Sequence, residues 1–240
     1  MSNILDNPYG LEIDSDFHFI RRSVTIALLK EYLDCSIQQQ ILDVGCGKGE
    51  ISRIIKSTFP LAKIDAIDIS VYAIEYSINT VPDINFFVGN ATCFPFKSSY
   101  YDAIVCNNIY EHIENPISLL KNLQRSLKEE GVIIISTPNR YHIKNLFRCI
   151  LGFPIVIPKY HVTEYSIGQL YDHHVYCHLM IEKILLPSYK FENFKLSNFI
   201  LVQLIQPILN QYLKLIGSRN RLGGLLFVIS KKKRKFTHSN

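Results

Sequence analysis

The chain has no pair of cysteines at C-x-x-C spacing. Its six cysteines stand singly at Cys35, Cys46, Cys93, Cys106, Cys149 and Cys177. This argues against a zinc site of the usual spacing. Several lie in apolar runs and read as small core residues in a reducing compartment. The body of the chain also lacks net charge. Of 26 basic residues, five form Lys231-Lys232-Lys233-Arg234-Lys235, so residues 1–230 carry 21 basic and 21 acidic side chains. A basic face of the kind that binds nucleic acid is not favoured. The first residues, Met1-Ser2-Asn3-Ile4-Leu5-Asp6, have no charged n-region and no apolar h-region. No signal peptide is expected, and the expected location is cytoplasmic. Internal repeats are absent, and low complexity is confined to Gln38-Gln39-Gln40 and the basic tail. With 240 residues, 48% of them hydrophobic, the chain suits one α/β domain, with or without a lid.

What is present is organised around Ile41-Leu42-Asp43-Val44-Gly45-Cys46-Gly47-Lys48-Gly49-Glu50. An apolar strand runs into a glycine turn, and Ile51, Ile54 and Ile55 then recur at helical spacing. Such a turn gathers backbone N–H groups and the positive end of a helix around one small volume. Asp43 indicates the ligand. A carboxylate beside a pyrophosphate is repelled, by roughly 4 kcal/mol per charge pair at about 4 Å in a moderate dielectric. A ligand carrying an ammonium and a sulfonium is attracted.

Five strand–helix repeats follow from this start. Apolar residues recur from Phe19 through Leu33 as a leading helix. Lys63–Ile69 is a second strand, and its Asp68, with Ile69 beside it, lies about twenty residues beyond the glycines, where a ribose-binding carboxylate belongs. Ser70 caps the next helix. Asn85–Val88 is a third strand ending at Gly89-Asn90-Ala91-Thr92, and Tyr101–Asn107 a fourth. Asn115-Pro116 opens a helix expected to run through Leu127 and to stop at Gly131. Val132–Ser136 is a fifth strand. Asp43, Asp68, Asn90 and Asn107 all fall at strand C-terminal ends, where ligands bind in doubly wound sheets. Residues 143–157 allow at most a short broken helix. A helix around Leu170, strands at Met180–Leu186 and Gly224–Ser230, and a long apolar stretch at 199–216, interrupted by Pro207, complete the reading.

Asp43-x-Gly45-x-Gly47, Asp68, Glu111-His112, Ser136-Thr-Pro-Asn139 and His161-x-x-Glu164-Tyr165 occur in this order. Together they resemble the class I S-adenosylmethionine (SAM) methyltransferases, in particular the ubiquinone-biosynthesis O-methyltransferase branch. The resemblance implies a mostly parallel, doubly wound sheet of seven strands, order 3-2-1-4-5-7-6, within a single domain. A helical insertion at 187–222 would shape the substrate site before the last strand. It implies SAM as cofactor, with Asp43, Gly45, Gly47, Asp68, Ile69, Asn90, Ala91 and Asn107 around it. An arginine, Arg21 or by preference Arg22, would reach its carboxylate. The family has an aspartate at the position of Asn90, so here an uncharged amide oxygen would face the adenine amino group while the Ala91 N–H meets the ring. Glu111 and His112 would be catalytic, His112 as general base.

Some relatives, among them small-RNA 2′-O-methyltransferases, bind a divalent cation through E-x-x-E-H and a later histidine. Glu111, His112 and His161 would be the ligands here, with Asn108 in place of one carboxylate. The expected activity is methyl transfer to an oxygen of a small or lipid-linked acceptor. An RNA methyltransferase, or a relative that binds SAM without catalysis, is the alternative. The basic tail at 231–240 is a solvated terminus, a contact for anionic membrane, or a contact for RNA.

Overall fold

The computed structural model describes residues 15–187, 204–215 and 223–233. The glycine turn follows β1 (Gln40–Val44) and leads into α2 (Glu50–Thr58), with α1 (Ser15–Tyr32) ahead of both. Then come β2 (Lys63–Asp68), α3 (Val71–Thr80), β3 (Asn85–Val88), β4 (Tyr101–Asn107) and a single 3₁₀ turn at Tyr110–His112. α4 (Pro116–Ser126), β5 (Leu127–Pro138), α5 (Ile143–Ile150), α6 (Ile167–Tyr176) and β6 (Leu179–Leu185) follow, and α7 (Gln206–Leu215) precedes β7 (Leu225–Lys232). The seven strands form one sheet in the order β3-β2-β1-β4-β5-β7-β6. β7 runs antiparallel to both neighbours, and the pairs from β3 to β5 are parallel.

Alternation along the central strands explains why helices cover both faces. Ile41, Ala103, Val105, Ile134, Phe227 and Ile229 pack with Leu28, Leu29, Ile51, Ile55 and Phe59 of the α1–α2 side. Their neighbours Leu42, Ile104, Cys106, Ile133, Ile135 and Val228 pack with Leu119, Leu120 and Leu123 of α4 and Leu170 of α6. Successive strand residues point to opposite faces, so strands that are apolar at every position are buried on both.

Two expectations are corrected. α4 ends at Ser126, five residues before Gly131, because the N–H groups of Ser99 and Tyr100 take the carbonyls of Arg125 and Ser126. Leu127 then pairs with Tyr101 in the sheet, and the register jumps to Ala103 opposite Val132. Gly131 serves that jump rather than a helix end, since a Cβ there would lie 2.8 Å from Leu127 Cδ1. The last strand extends past Ser230: Lys231 and Lys232 belong to β7 and pair with Glu182 and Glu129, so the basic run is partly sheet. α7 follows directly on Leu204 and Ile205 in π-helical conformation and Pro207 is its second residue, so the helical path changes at the proline as expected. Most of the insertion expected at 187–222, and tail residues 234–240, lie outside the described residues. Among the described residues no helix is long and apolar enough to cross a membrane.

Candidate active site

Gly45, Gly47 and Gly49 adopt φ of +70°, +53° and +73°, a region open to glycine and strained for other residues. The turn is tied down from β2: the N–H groups of Gly45 and Cys46 both donate to the Ile67 carbonyl, at 2.8 and 3.1 Å. The Gly47 N–H is thereby turned to Asp68 Oδ2 at 2.8 Å, while the Ser70 N–H donates to Asp68 Oδ1 at 2.9 Å. Asp68 is held by two backbone donors, one per oxygen, and each oxygen keeps a lone pair for a ligand hydroxyl.

Asp43 is buried and accepts from Ser52 Oγ at 2.5 Å. Burial pushes its carboxyl up to about 6, against the opposing Ser52 bond and Arg21 charge. Arg22, the arginine preferred from the sequence, is paired with Glu50 at the start of α2. Arg21 is the one that faces inward. Its guanidinium is buried, feels the charges of Glu111, Glu50 and Asp43, donates to His18 Nδ1 at 2.7 Å, and leaves its Nε without a partner.

At the far end of the groove Ile69 is 70% exposed, an apolar surface beside Asp68. Asn90 does not present its amide oxygen outward. That oxygen accepts from Thr92 N at 3.0 Å and Thr92 Oγ1 at 2.8 Å, and a backbone donor there fixes which end of the amide is oxygen. Ala91 is buried, with its carbonyl held at 2.9 Å by Asn122 Nδ2. Asn107 braces the wall: its Oδ1 accepts from Thr25 of α1 and Ser136 of β5, and its buried Nδ2 has no partner.

The other half of the site begins where β4 ends. Asn108 takes φ of +49°, and its Oδ1 lies 3.0 Å from Ser136 Oγ, sharing that hydroxyl's one proton with Asn107 Oδ1. The 3₁₀ turn then sends Glu111 inward and His112 outward. Glu111 Oε2 accepts from Thr137 Oγ1 at 3.1 Å, and Oε1 is buried without a partner. Burial raises the Glu111 carboxyl to about 7, opposed chiefly by a backbone hydrogen bond and the neighbouring His161.

His112 Nδ1 lies 2.8 Å from the Tyr160 carbonyl. A carbonyl only accepts, so Nδ1 carries the proton and Nε2 the lone pair. Burial lowers the His112 pKa below 6.5. His161 arrives on a segment pinned to Glu111, whose carbonyl accepts from Val162 N at 2.8 Å and Thr163 N at 3.3 Å. The two imidazole rings are 4.9 Å apart, and ligand atoms of Glu111, His112 and His161 all lie within 4.8 Å of one another. The arrangement holds a basic nitrogen, an unpaired carboxylate oxygen and a second imidazole around one point.

Arg21, Ser52, Asn122, Thr137 and Tyr160 were given no specific role from the sequence, save that Arg21 was the second choice of arginine. For Asn122, Thr137 and Tyr160 the signal is tertiary, since each acts on a residue far along the chain.

The methyltransferase-domain family profile matches residues 17–180. The chain is 34% identical over 136 residues to the ubiquinone biosynthesis O-methyltransferase of Rickettsia canadensis, covering 55% of this chain and 54% of that protein. It is 31% identical over 103 residues to the malonyl-[acyl-carrier protein] O-methyltransferase of Halalkalibacterium halodurans, covering 40% and 38%. The chain thus spans about half the length of the curated relatives it matches. A SAM-dependent methyltransferase from Archaeoglobus fulgidus superposes with a TM-score of 0.59 at 17% identity, covering 91% of this chain and all of that one. With the glycine turn, the Asp68 cradle and this strand order in place, the chain belongs to the class I SAM-dependent methyltransferase family.

Proposed function

We propose that the chain binds SAM and transfers its methyl group to an oxygen of a small or lipid-linked hydroxyl acceptor. The observation that carries this reading is the meeting of two preorganised halves. The Gly47–Asp68 cradle lies at the ends of β1 and β2, and the Glu111–His112–His161 cluster at the end of β4. SAM, when bound, supplies an activated methyl group on sulfur. The chain's residues then have to bind, orient and remove one proton. In this reading Asp68 accepts from both ribose hydroxyls and Asp43 attracts the ammonium. Arg21, rather than the Glu50-bound Arg22, meets the carboxylate, and Ile69 and the Ala91 N–H meet the adenine. His112 Nε2 takes the acceptor proton; its lowered pKa keeps the lone pair available at neutral pH. Asn107 acts by bracing α1 against the sheet. Glu111, His112 and His161 would also hold a divalent cation, which would lower the pKa of a bound hydroxyl; the unpartnered Glu111 oxygen supports that fit.

Isothermal titration with SAM, followed by transfer of labelled methyl to separated lipid, small-molecule and RNA fractions, tests the reading. Binding together with labelling of the lipid or small-molecule fraction is expected. Labelling of RNA alone, or no SAM binding, overturns it.

A lipid-linked acceptor is supported by the surface beside His161. From Gly131 to Thr163 the sequence has no acidic residue and four basic ones, Arg140, Lys144, Arg148 and Lys159. Over the same stretch Ile150, Leu151, Phe153 and Val156 are each more than half exposed. Apolar side chains among cations suit an anionic bilayer surface. Sedimentation with anionic vesicles should fall several-fold in a Leu151→Asp, Phe153→Asp double variant, and less on deleting residues 234–240. Equal sedimentation of the double variant and the parent would remove the membrane part.

A further inference from the structure

The motif His161-x-x-Glu164-Tyr165 contains one carboxylate that the chemistry above leaves unused. Glu164 is 6% exposed. Its Oε1 lies 3.3 Å from His161 Nδ1, an ion-pair distance without the alignment of a hydrogen bond, and neither His161 Nδ1 nor Glu164 Oε2 has a hydrogen-bond partner among the described residues. A buried carboxylate is normally satisfied by hydrogen-bond donors. The segment carrying Glu164 is rigidly placed. Two N–H groups, of Val162 and Thr163, donate to the Glu111 carbonyl, the Arg140 N–H donates to the Tyr165 carbonyl at 3.2 Å, and Tyr165 bridges to Asn139 beside β5. These bonds fix the distance between Glu164 and His161 and set both against Glu111.

Only Nδ1 of His161 faces the carboxylate. A carboxylate accepts, so the favoured tautomer has its proton on Nδ1 and its lone pair on Nε2. The neighbouring His112 is set the same way by the Tyr160 carbonyl. Glu164 also faces His142, the cap of α5, whose protonated form its charge favours. Burial nonetheless holds the His142 imidazole below its ordinary pKa, with the Glu164 charge only opposing that, and the contact lies on another element than the His161 contact.

We propose that Glu164 is the positioning residue of His161. Its charge beside Nδ1 favours the Nδ1–H tautomer and so leaves the Nε2 lone pair for the space shared with Glu111 and His112. This rests on the reading of that space as the acceptor site. It extends the reading by naming what orients the second imidazole.

The test is ¹⁵N NMR of imidazole-labelled protein at about pH 8.5, where neutral tautomers prevail. It would be run on the parent, Glu164→Leu and Glu164→Gln. SAM titration of each variant checks that it is folded. The parent and Glu164→Gln, whose amide oxygen still accepts, should show His161 protonated on Nδ1. Glu164→Leu should shift it toward Nε2–H and lower methyl transfer into the acceptor fraction by about 10–100-fold, the range for removing an orienting partner. SAM affinity should stay unchanged, and Glu164→Gln should recover most of the transfer. A parent His161 protonated on Nε2, or the same tautomer in all three proteins, overturns the proposal. Loss of SAM binding in the parent would instead overturn the functional reading, so the two failures are distinguishable.

Discussion

The two halves of the site hold their carboxylates on opposite terms. On the cofactor side Asp68 has a donor on each carboxylate oxygen, Asp43 has Ser52, and the glycine turn is hydrogen-bonded to β2, while Arg21 Nε and Asn107 Nδ2 have no hydrogen-bond partner among the described residues. On the acceptor side Glu111 Oε1, Glu164 Oε2 and His161 Nδ1 are buried without hydrogen-bond partners. A satisfied carboxylate is ready before its ligand arrives. An unsatisfied half carries a desolvation penalty of roughly 1–3 kcal/mol per orphaned group until something pairs with it. The difference implies that the cofactor half tolerates little change in shape, while the acceptor half stores free energy that a ligand releases.

The largest expected effects separate the halves by readout. Gly45→Val should abolish SAM binding in calorimetry. Gly45 has φ of +70°, and its Cβ would lie 2.6 Å from Ile109 Cδ1 and 3.1 Å from Ile109 Cβ. A β-branched residue there meets both backbone strain and a collision. Circular dichroism would check that the sheet survives; retained SAM affinity would mean that the turn is not the cofactor site. His112→Ala comes next. It should lower methyl transfer by roughly 10²–10⁴-fold, the range for a general base, with SAM affinity unchanged. A loss of SAM affinity equal to the loss of turnover would place His112 in the wrong half. If a cation shares the site, EDTA should also lower transfer and added Mn²⁺ restore it; indifference to EDTA leaves His112 acting as base alone.

The same contrast explains what was legible in the sequence. The cofactor half is written in short segments. Residues 43–49 fold on themselves, and Asp68 lies one strand–helix unit away, so spacing alone brings them together. The strand order followed from resemblance, and the alternating pattern of Leu42, Val44, Ile104 and Ile133 against their neighbours agrees with it. The acceptor half is assembled from β4, β5 and a segment some fifty residues later. Glu111, His112 and His161 were recognisable as residue types. Their approach depends on backbone bonds from Val162 and Thr163 to Glu111 that no periodicity announces. Arg22 was preferred to Arg21 in the sequence, which does not show which way adjacent helix positions face; in the structure Arg22 is paired with Glu50. The end of α4 was misread because Gly131 looks like a helix stop, whereas its small size serves a close approach to Leu127.

The smallest expected effect is on the free protein and tests the stored free energy directly. The Glu111 carboxyl is raised to about 7 from an ordinary 4.5, with burial as the main cause. Between those two pH values the folded protein holds a proton that the unfolded chain has released. By linkage, Glu111 therefore lowers folding stability as pH rises through this window, and its cost is complete above about pH 7. Asp43, raised to about 6, acts with the same sign over a narrower window. Glu111→Gln removes the charge and keeps an oxygen for the Thr137 hydroxyl. Urea titrations should find the variant roughly 1–3 kcal/mol more stable than the parent at about pH 8, and nearly equal to it at about pH 4.5, where the parent carboxyl is protonated in the fold. The same variant should be poor at methyl transfer, since an amide neither shares a cation nor pairs with an imidazolium. A variant less stable than the parent at about pH 8 would show that the Glu111 charge is paid for by Arg21 and His161 within the free protein. The acceptor half would then hold no reserve for its ligand to release.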